Sequence, residues 1–119
     1  MAQVIGSRGL ANADLVIPQG ASFDFTVTHK DEQGNAVDHT ASTIKMALQG
    51  RGGTHQMDEY CTGTSTGVTV AIPASVTAAL PVGTLNWDMA AEMSNGEVVF
   101  LLWGKAQVVD TYSLDSQDE

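Results

Sequence analysis

TLNWDMAAEMSNGEVVFLLWGKAQVV, residues Thr84 to Val109, is the stretch that decides the fold. Asn95-Gly96 stands between two apolar runs, and Asn-Gly is the strongest short hairpin signal because a type I′ turn needs φ > 0 at both central residues. With Asn95 and Gly96 as a two-residue loop, Ser94 faces Glu97. Met93 then lies opposite Val98, Ala91 opposite Phe100, Met89 opposite Leu102, Trp87 opposite Gly104 and Leu85 opposite Ala106. Opposed residues share one face of a ladder, so this set predicts one continuous core face. The largest side chain, Trp87, is paired with the smallest residue, Gly104.

The other face of the same ribbon carries Asn86, Asp88, Ala90 and Glu92 on one strand and Val99, Leu101, Trp103 and Lys105 on the next. A solvated sheet face is polar along both strands. The stripe Val99, Leu101 and Trp103 therefore needs a cover. Either a second sheet, loop or arm of the same chain supplies it, or the stripe is a protein–protein contact rimmed by acids.

Working outward, the chain alternates with period two in several places. Phe23, Phe25 and Val27 oppose Asp24, Thr26 and Thr28, and Ile44, Met46 and Leu48 oppose Thr43, Lys45 and Ala47. Val68, Val70 and Ile72 form a further strand, and Leu15 to Ile17 a short one stopped by Pro18. Asp31 to Asn35 reads as a polar turn. Gln56 to Thr62 is a weaker strand, and the Gly/Thr/Ser segments at 50–54 and 62–67 are loops. Pro73 to Leu80 is alanine-rich, with Ser75 as an N-cap and Pro81 as a stop, and predicts one or two helical turns crossing between sheet edges. Together these elements predict an all-β protein: a single antiparallel β-sandwich of about seven strands with one short connecting helix. Phe23, Phe25, Leu48, Ile72, Trp87, Phe100 and Leu102 are its expected core, each worth roughly 1.5–3 kcal/mol when fully buried.

Residues 14–110 carry this sandwich. Residues 1–13 show neither a helical nor a strand period and read as an N-terminal arm. Val4, Ile5 and Leu10 are the apolar residues with which such an arm would lie across a neighbour. Residues 111–119 read as an acidic C-terminal tail.

The chain has 119 residues, of which 43% are hydrophobic and 16% charged, the composition of a globular domain. Fourteen acids against five bases give a formal net charge of −9. Phosphate binding needs clustered Lys and Arg, so neither nucleic acid nor an anionic membrane is an expected partner. A single cysteine excludes an internal disulfide framework and fits synthesis in a reducing compartment. The N-terminus carries no signal-peptide pattern and no stretch approaches a membrane span of roughly twenty apolar residues.

Chemistry is sparse. His29, His39 and His55 sit at expected strand ends or loops without metal-ligand spacing and read as solvated, and Cys61 reads as a small buried thiol. Asp31, Gln33, Asn35 and Asp38 lack the closing Glu of a calcium loop. Asp58 and Glu59 are adjacent and, on a strand, would point to opposite faces. Gly50-Arg51-Gly52-Gly53 lacks the ending of a phosphate loop, and no serine stands in a nucleophile elbow. No catalytic, cofactor or metal residue is expected.

The order of the pieces resembles a recurrent small β domain of tailed-bacteriophage virion proteins, the type at the N-terminus of baseplate upper proteins. The resemblance runs through Ile17-Pro-Gln-Gly-Ala-Ser-Phe23, the acidic turn Asp31 to Gly34 and Ala36-Val-Asp-His-Thr40. It continues in Ile72-Pro-Ala-Ser-Val-Thr-Ala-Ala-Leu80, Val82-Gly-Thr84 and the closing Gly96-Glu-Val-Val99 to Trp103-Gly104. It implies a non-enzymatic virion component made in the host cytoplasm, binding major capsid or tail/baseplate subunits and forming homo-oligomers. A lone small domain with arms points first to a capsid decoration or cement protein, with a tail or baseplate protein as the alternative. Two rivals remain: a carbohydrate-binding module using Trp103 with loop residues near Arg51 and His55, and a hydrolase too divergent to show its motif.

Overall fold

The computed structural model describes residues 11–110 in full and the backbone of residues 2–5. Among these residues it has ten strands: β1 (Ala2–Ile5), β2 (Ala11–Asn12), β3 (Leu15–Pro18), β4 (Phe23–His29), β5 (Thr43–Gly50), β6 (Gly53–Gln56), β7 (Cys61–Thr64), β8 (Gly67–Ile72), β9 (Gly83–Glu92) and β10 (Val98–Val109). One short helix, α1 (Ala74–Ala78), joins β8 to β9. The strands form a four-stranded sheet ordered β1-β4-β8-β7 and a six-stranded sheet ordered β2-β10-β9-β5-β6, with β3 also paired to β10. The all-β sandwich expected from the alternating segments is the fold observed.

Two features depart from a purely antiparallel sandwich. β1 pairs β4 in parallel, and β2 and β3 both pair β10 in parallel. The N-terminal segment thus places edge strands on both sheets. The helix also differs: it has no side-chain cap, Pro73 being the N-cap, and it links interior strands of the two sheets rather than their edges. Thr77 anchors it instead. Its buried Oγ1 donates to the Ala21 carbonyl at 2.7 Å and accepts the Gly20 N–H at 3.0 Å.

The core lies between the sheets and collects the inward positions of the alternating segments. Phe25 and Val27 face Met46, Leu48, Trp87 and Met89 across it, with Leu15, Ile17, Val70 and Ile72. Phe25 meets Trp87 edge-to-face at a ring separation of 6.0 Å, the arrangement that sets a positive ring edge on a negative face. Trp87 pairs with Gly104 as expected, and its indole N–H passes to the Ala13 carbonyl at 2.8 Å. A Cβ on residue 104 would run into that same carbonyl, so the glycine is required by the edge strand as well as by the indole.

The hairpin between β9 and β10 keeps the expected register at its far end: Leu102 faces Met89, Gly104 faces Trp87 and Ala106 faces Leu85. Near the turn the register is shifted by one, so that Val99 faces Ala91 and Phe100 faces Ala90. The cause is the loop. The Gly96 N–H donates to the Met93 carbonyl and the Met93 N–H to the Glu97 carbonyl, and Gly96 has φ of 88°. This is a three-residue loop with glycine in the left-handed position, rather than the two-residue turn. One extra residue, Leu101, then restores the register as a β-bulge.

The segment Asp58–Tyr60 is a 3₁₀ turn, not a strand. The Asp58 carboxylate is occupied there, accepting the Met46 N–H at 2.9 Å. Asp31 likewise organises the 31–35 turn, its Oδ1 accepting the N–H groups of Gln33 and Asn35 at 2.9 Å each.

Candidate functional site

The bulge rearranges the expected contact stripe. Leu101 is fully buried, at 0% exposure, and Val99 packs against the core, while Phe100, expected inside, is 54% exposed. Trp103 alone of the stripe stays outside, at 50% exposure. Two consecutive inward residues, Leu101 and Leu102, are possible because the bulge interrupts the period-two alternation. The stripe Val99, Leu101 and Trp103 is thus replaced by an outward pair, Phe100 and Trp103. Of the expected arm residues, Val4 and Ile5 belong to β1, and Leu10 lies outside the described residues.

Phe100 and Trp103 occupy consecutive outward positions of β10, opposite Ala90 and Asp88 of β9. The small Ala90 leaves Phe100 uncovered, and Lys45 of β5 closes that row on the far side. The next row reads Asn12, Trp103, Asp88, Ala47 and Gln56 across five strands, and the one beyond it Lys105, Asn86, Gln49 and Thr54. Val98, also exposed, stands opposite Glu92. The result is an apolar island of Val98, Phe100, Ala90 and Trp103 rimmed by Glu92, Asp88 and Lys45.

Beside Trp103 the sheet carries an open depression of about 390 Å³, floored by Trp87 and Gly104 and walled by Asn12, Asp14, Asn86, Asp88 and Lys105. It forms where β2 gives way to β3. At that kink the Asp14 carboxylate, rather than a ladder carbonyl, accepts the Lys105 N–H at 3.0 Å. The Lys105 ammonium donates to Asn86 Oδ1 at 2.7 Å. The side chains of Asn12, Asp88 and Trp103 make no hydrogen bond among the described residues. Asn86 and Asp88 are legible from the sequence as outward residues of β9. Asn12 and Asp14 carry no local signal, since only the parallel pairing to β10 brings them here.

The histidines depart from expectation. His29 and His39 are buried rather than solvated, their rings stacked with centroids 5.2 Å apart and planes 15° from parallel. His29 Nδ1 lies 2.9 Å from His39 Nε2, and His39 Nδ1 lies 3.0 Å from Ser42 Oγ. Burial holds the His39 pKa below its ordinary value, and the neighbouring His29 adds to the effect while Asp38 opposes it. His55 lies in β6 with its Nε2 shielded from solvent and unbonded among the described residues. The 30–42 loop that carries His39 is pinned by the His39 N–H to the Thr64 carbonyl and by close approach to Gly63, where a Cβ would collide with the His39 carbonyl. Cys61 is half-buried beside Met46 and Met57, and its pKa is pushed up to about 12 by burial and by the nearby Asp58. Such a thiol is not a nucleophile at neutral pH.

No group of three or more metal-ligating side chains occurs among the described residues, and no helix among them is long and apolar enough to cross a membrane.

No protein-family model and no curated protein matches the chain. Solved structures do. The N-terminal domain of phage TP901-1 ORF48 superposes with a TM-score of 0.54 at 11% identity, covering 91% of this chain and 98% of that one. The two share a fold. At that identity the likeness resides in the order and packing of strands, not in side chains.

Proposed function

We propose that this chain is a non-enzymatic structural module of a bacteriophage particle, docking onto other virion subunits through the outer face of its six-stranded sheet. The observation that carries this reading is the superposition, over nearly the whole of both chains, on the N-terminal domain of a phage protein. It agrees with the independent resemblance of the turn and strand order to phage virion domains. The outer face supplies the contact: Val98, Phe100 and Trp103 are half-exposed along β10, while most of the sheet's other large apolar residues face the core. Apolar groups rimmed by two carboxylates and one ammonium suit a partner offering an apolar pocket with a mixed, mainly basic, surround.

Of the two placements, tail or baseplate is favoured over capsid decoration. Both likenesses point to N-terminal domains of phage proteins, and the sequence resemblance is to baseplate proteins. Immunogold labelling of virions tests this directly. Gold at the tail tip is the expected result, gold over the heads would move the protein to the capsid exterior, and unlabelled particles would refute a structural role. A Phe100→Asp variant is expected to fold and to be excluded from particles. Solution mass of the isolated protein decides whether it assembles with itself.

A further inference from the structure

We propose that the depression beside Trp103 is a binding site for a neutral pyranose ring, a function beyond the docking role although it shares Trp103 with that surface. Four observations converge on it. The cavity of about 390 Å³ has the size of a small-ligand site and is preformed at the β2–β3 kink. A half-exposed indole stands on its border. Aromatic faces carry negative charge and attract the weakly positive C–H groups that line one face of a sugar ring.

The polar wall is the third observation. Vicinal hydroxyls need acceptors and donors close together, and this wall offers both. Asp88 presents a carboxylate and Asn12 a carboxamide, neither hydrogen-bonded through its side chain among the described residues. Asn86 gives its oxygen to Lys105, which leaves its NH₂ group to donate, and Asp14 uses one oxygen on the Lys105 N–H, which leaves the other to accept. These side chains project from β2, β9, β10 and the kink, elements fixed by the sheet, so the site needs little ordering on binding.

Charge, the fourth, selects the ligand class. Two carboxylates against one ammonium line the cavity, in a chain of formal net charge −9. Nucleotides, which would also stack on an indole, and phosphorylated or acidic sugars are repelled. A neutral hexose is not. Because the cavity is open, one ring face remains in water, and affinity for a single sugar is expected in about the millimolar range.

The test is saturation-transfer NMR and indole fluorescence on the full chain, with methyl glucoside, methyl galactoside, methyl rhamnoside and methyl N-acetylglucosaminide as probes. The linear trisaccharides of the same sugars form a second arm. Saturable binding of at least one probe is expected, weakened at least about tenfold by Trp103→Ala and by Asp88→Ala. Tighter binding of the trisaccharide would mark a polysaccharide as the natural source, and equal binding a terminal or free sugar. Both substituted residues are surface-exposed, and unchanged thermal midpoints show that the variants are folded. Absence of saturable binding by every probe overturns the proposal, as does binding that survives both substitutions. Phe100→Asp, which lies outside the cavity, is expected to keep sugar binding while losing particle incorporation, so the two functions fail separately.

Discussion

The bulge at Leu101 makes a prediction that separates two registers of one hairpin. Leu101 is 0% exposed and Phe100 54% exposed, whereas a two-residue turn at Asn95-Gly96 would reverse their roles. Truncating a buried leucine removes its transfer energy and leaves a cavity, a loss of about 3 kcal/mol within the usual range of about 2–5. Truncating a half-exposed phenylalanine forfeits only its partial burial, about 1 kcal/mol. For 119 residues the unfolding entropy at the midpoint is about 0.25 kcal/mol per kelvin. Leu101→Ala should therefore lower the thermal midpoint by about 12 °C and Phe100→Ala by about 4 °C. Guanidinium titration with an unchanged slope would confirm that both act on the native state. If Phe100→Ala is the more damaging of the two, the three-residue loop and the bulge are wrong, and the outer-face contact site falls with them.

Two further outcomes are expected. His39 is held neutral by burial in the folded state, while in the unfolded chain it takes a proton near its ordinary value of 6.5. Its contribution to stability is thus complete above pH 6.5 and is lost as pH falls from there toward the depressed folded value, with a slope of at most about 1.4 kcal/mol per pH unit. Denaturation midpoints between pH 7.5 and 5.5 check this, and a flat profile would refute the buried stack. Gly104→Ala should destabilise the protein by about 1–3 kcal/mol, because the new methyl group meets the Ala13 carbonyl that also receives the Trp87 indole; an unaltered melt would contradict the β2–β10 pairing.

Much of the sandwich is legible locally. Phe23, Phe25 and Val27 alternate with polar residues, and so do Ile44, Met46 and Leu48, because side chains two apart on a strand must share a face whatever the rest of the chain does. The Asp31 turn is equally local, since its carboxylate closes on N–H groups two and four residues on. The hairpin is legible but not its register. A glycine at φ of 88° serves both a two-residue and a three-residue loop, so Asn95-Gly96 leaves the count open. The run Phe100-Leu101-Leu102-Trp103 holds the one hint, because four large apolar residues in succession cannot all obey a period of two.

The sequence by itself determined the class of fold, the place of the turns and most inward positions, all of which follow from rules acting over a few residues. Tertiary structure decided what those rules do not reach. The burial of His29 against His39 depends on two segments ten residues apart folding onto β7 and its turn. The kink that sets Asn12 and Asp14 beside Trp103 depends on a parallel pairing across some ninety residues of chain. The exchange of Leu101 for Phe100 depends on Leu102, Gly104 and Ala106 fitting Met89, Trp87 and Leu85, which the loop alone would have placed one step away. Packing against the opposite sheet outweighs the preference of a turn, since one slipped residue would turn every core side chain outward.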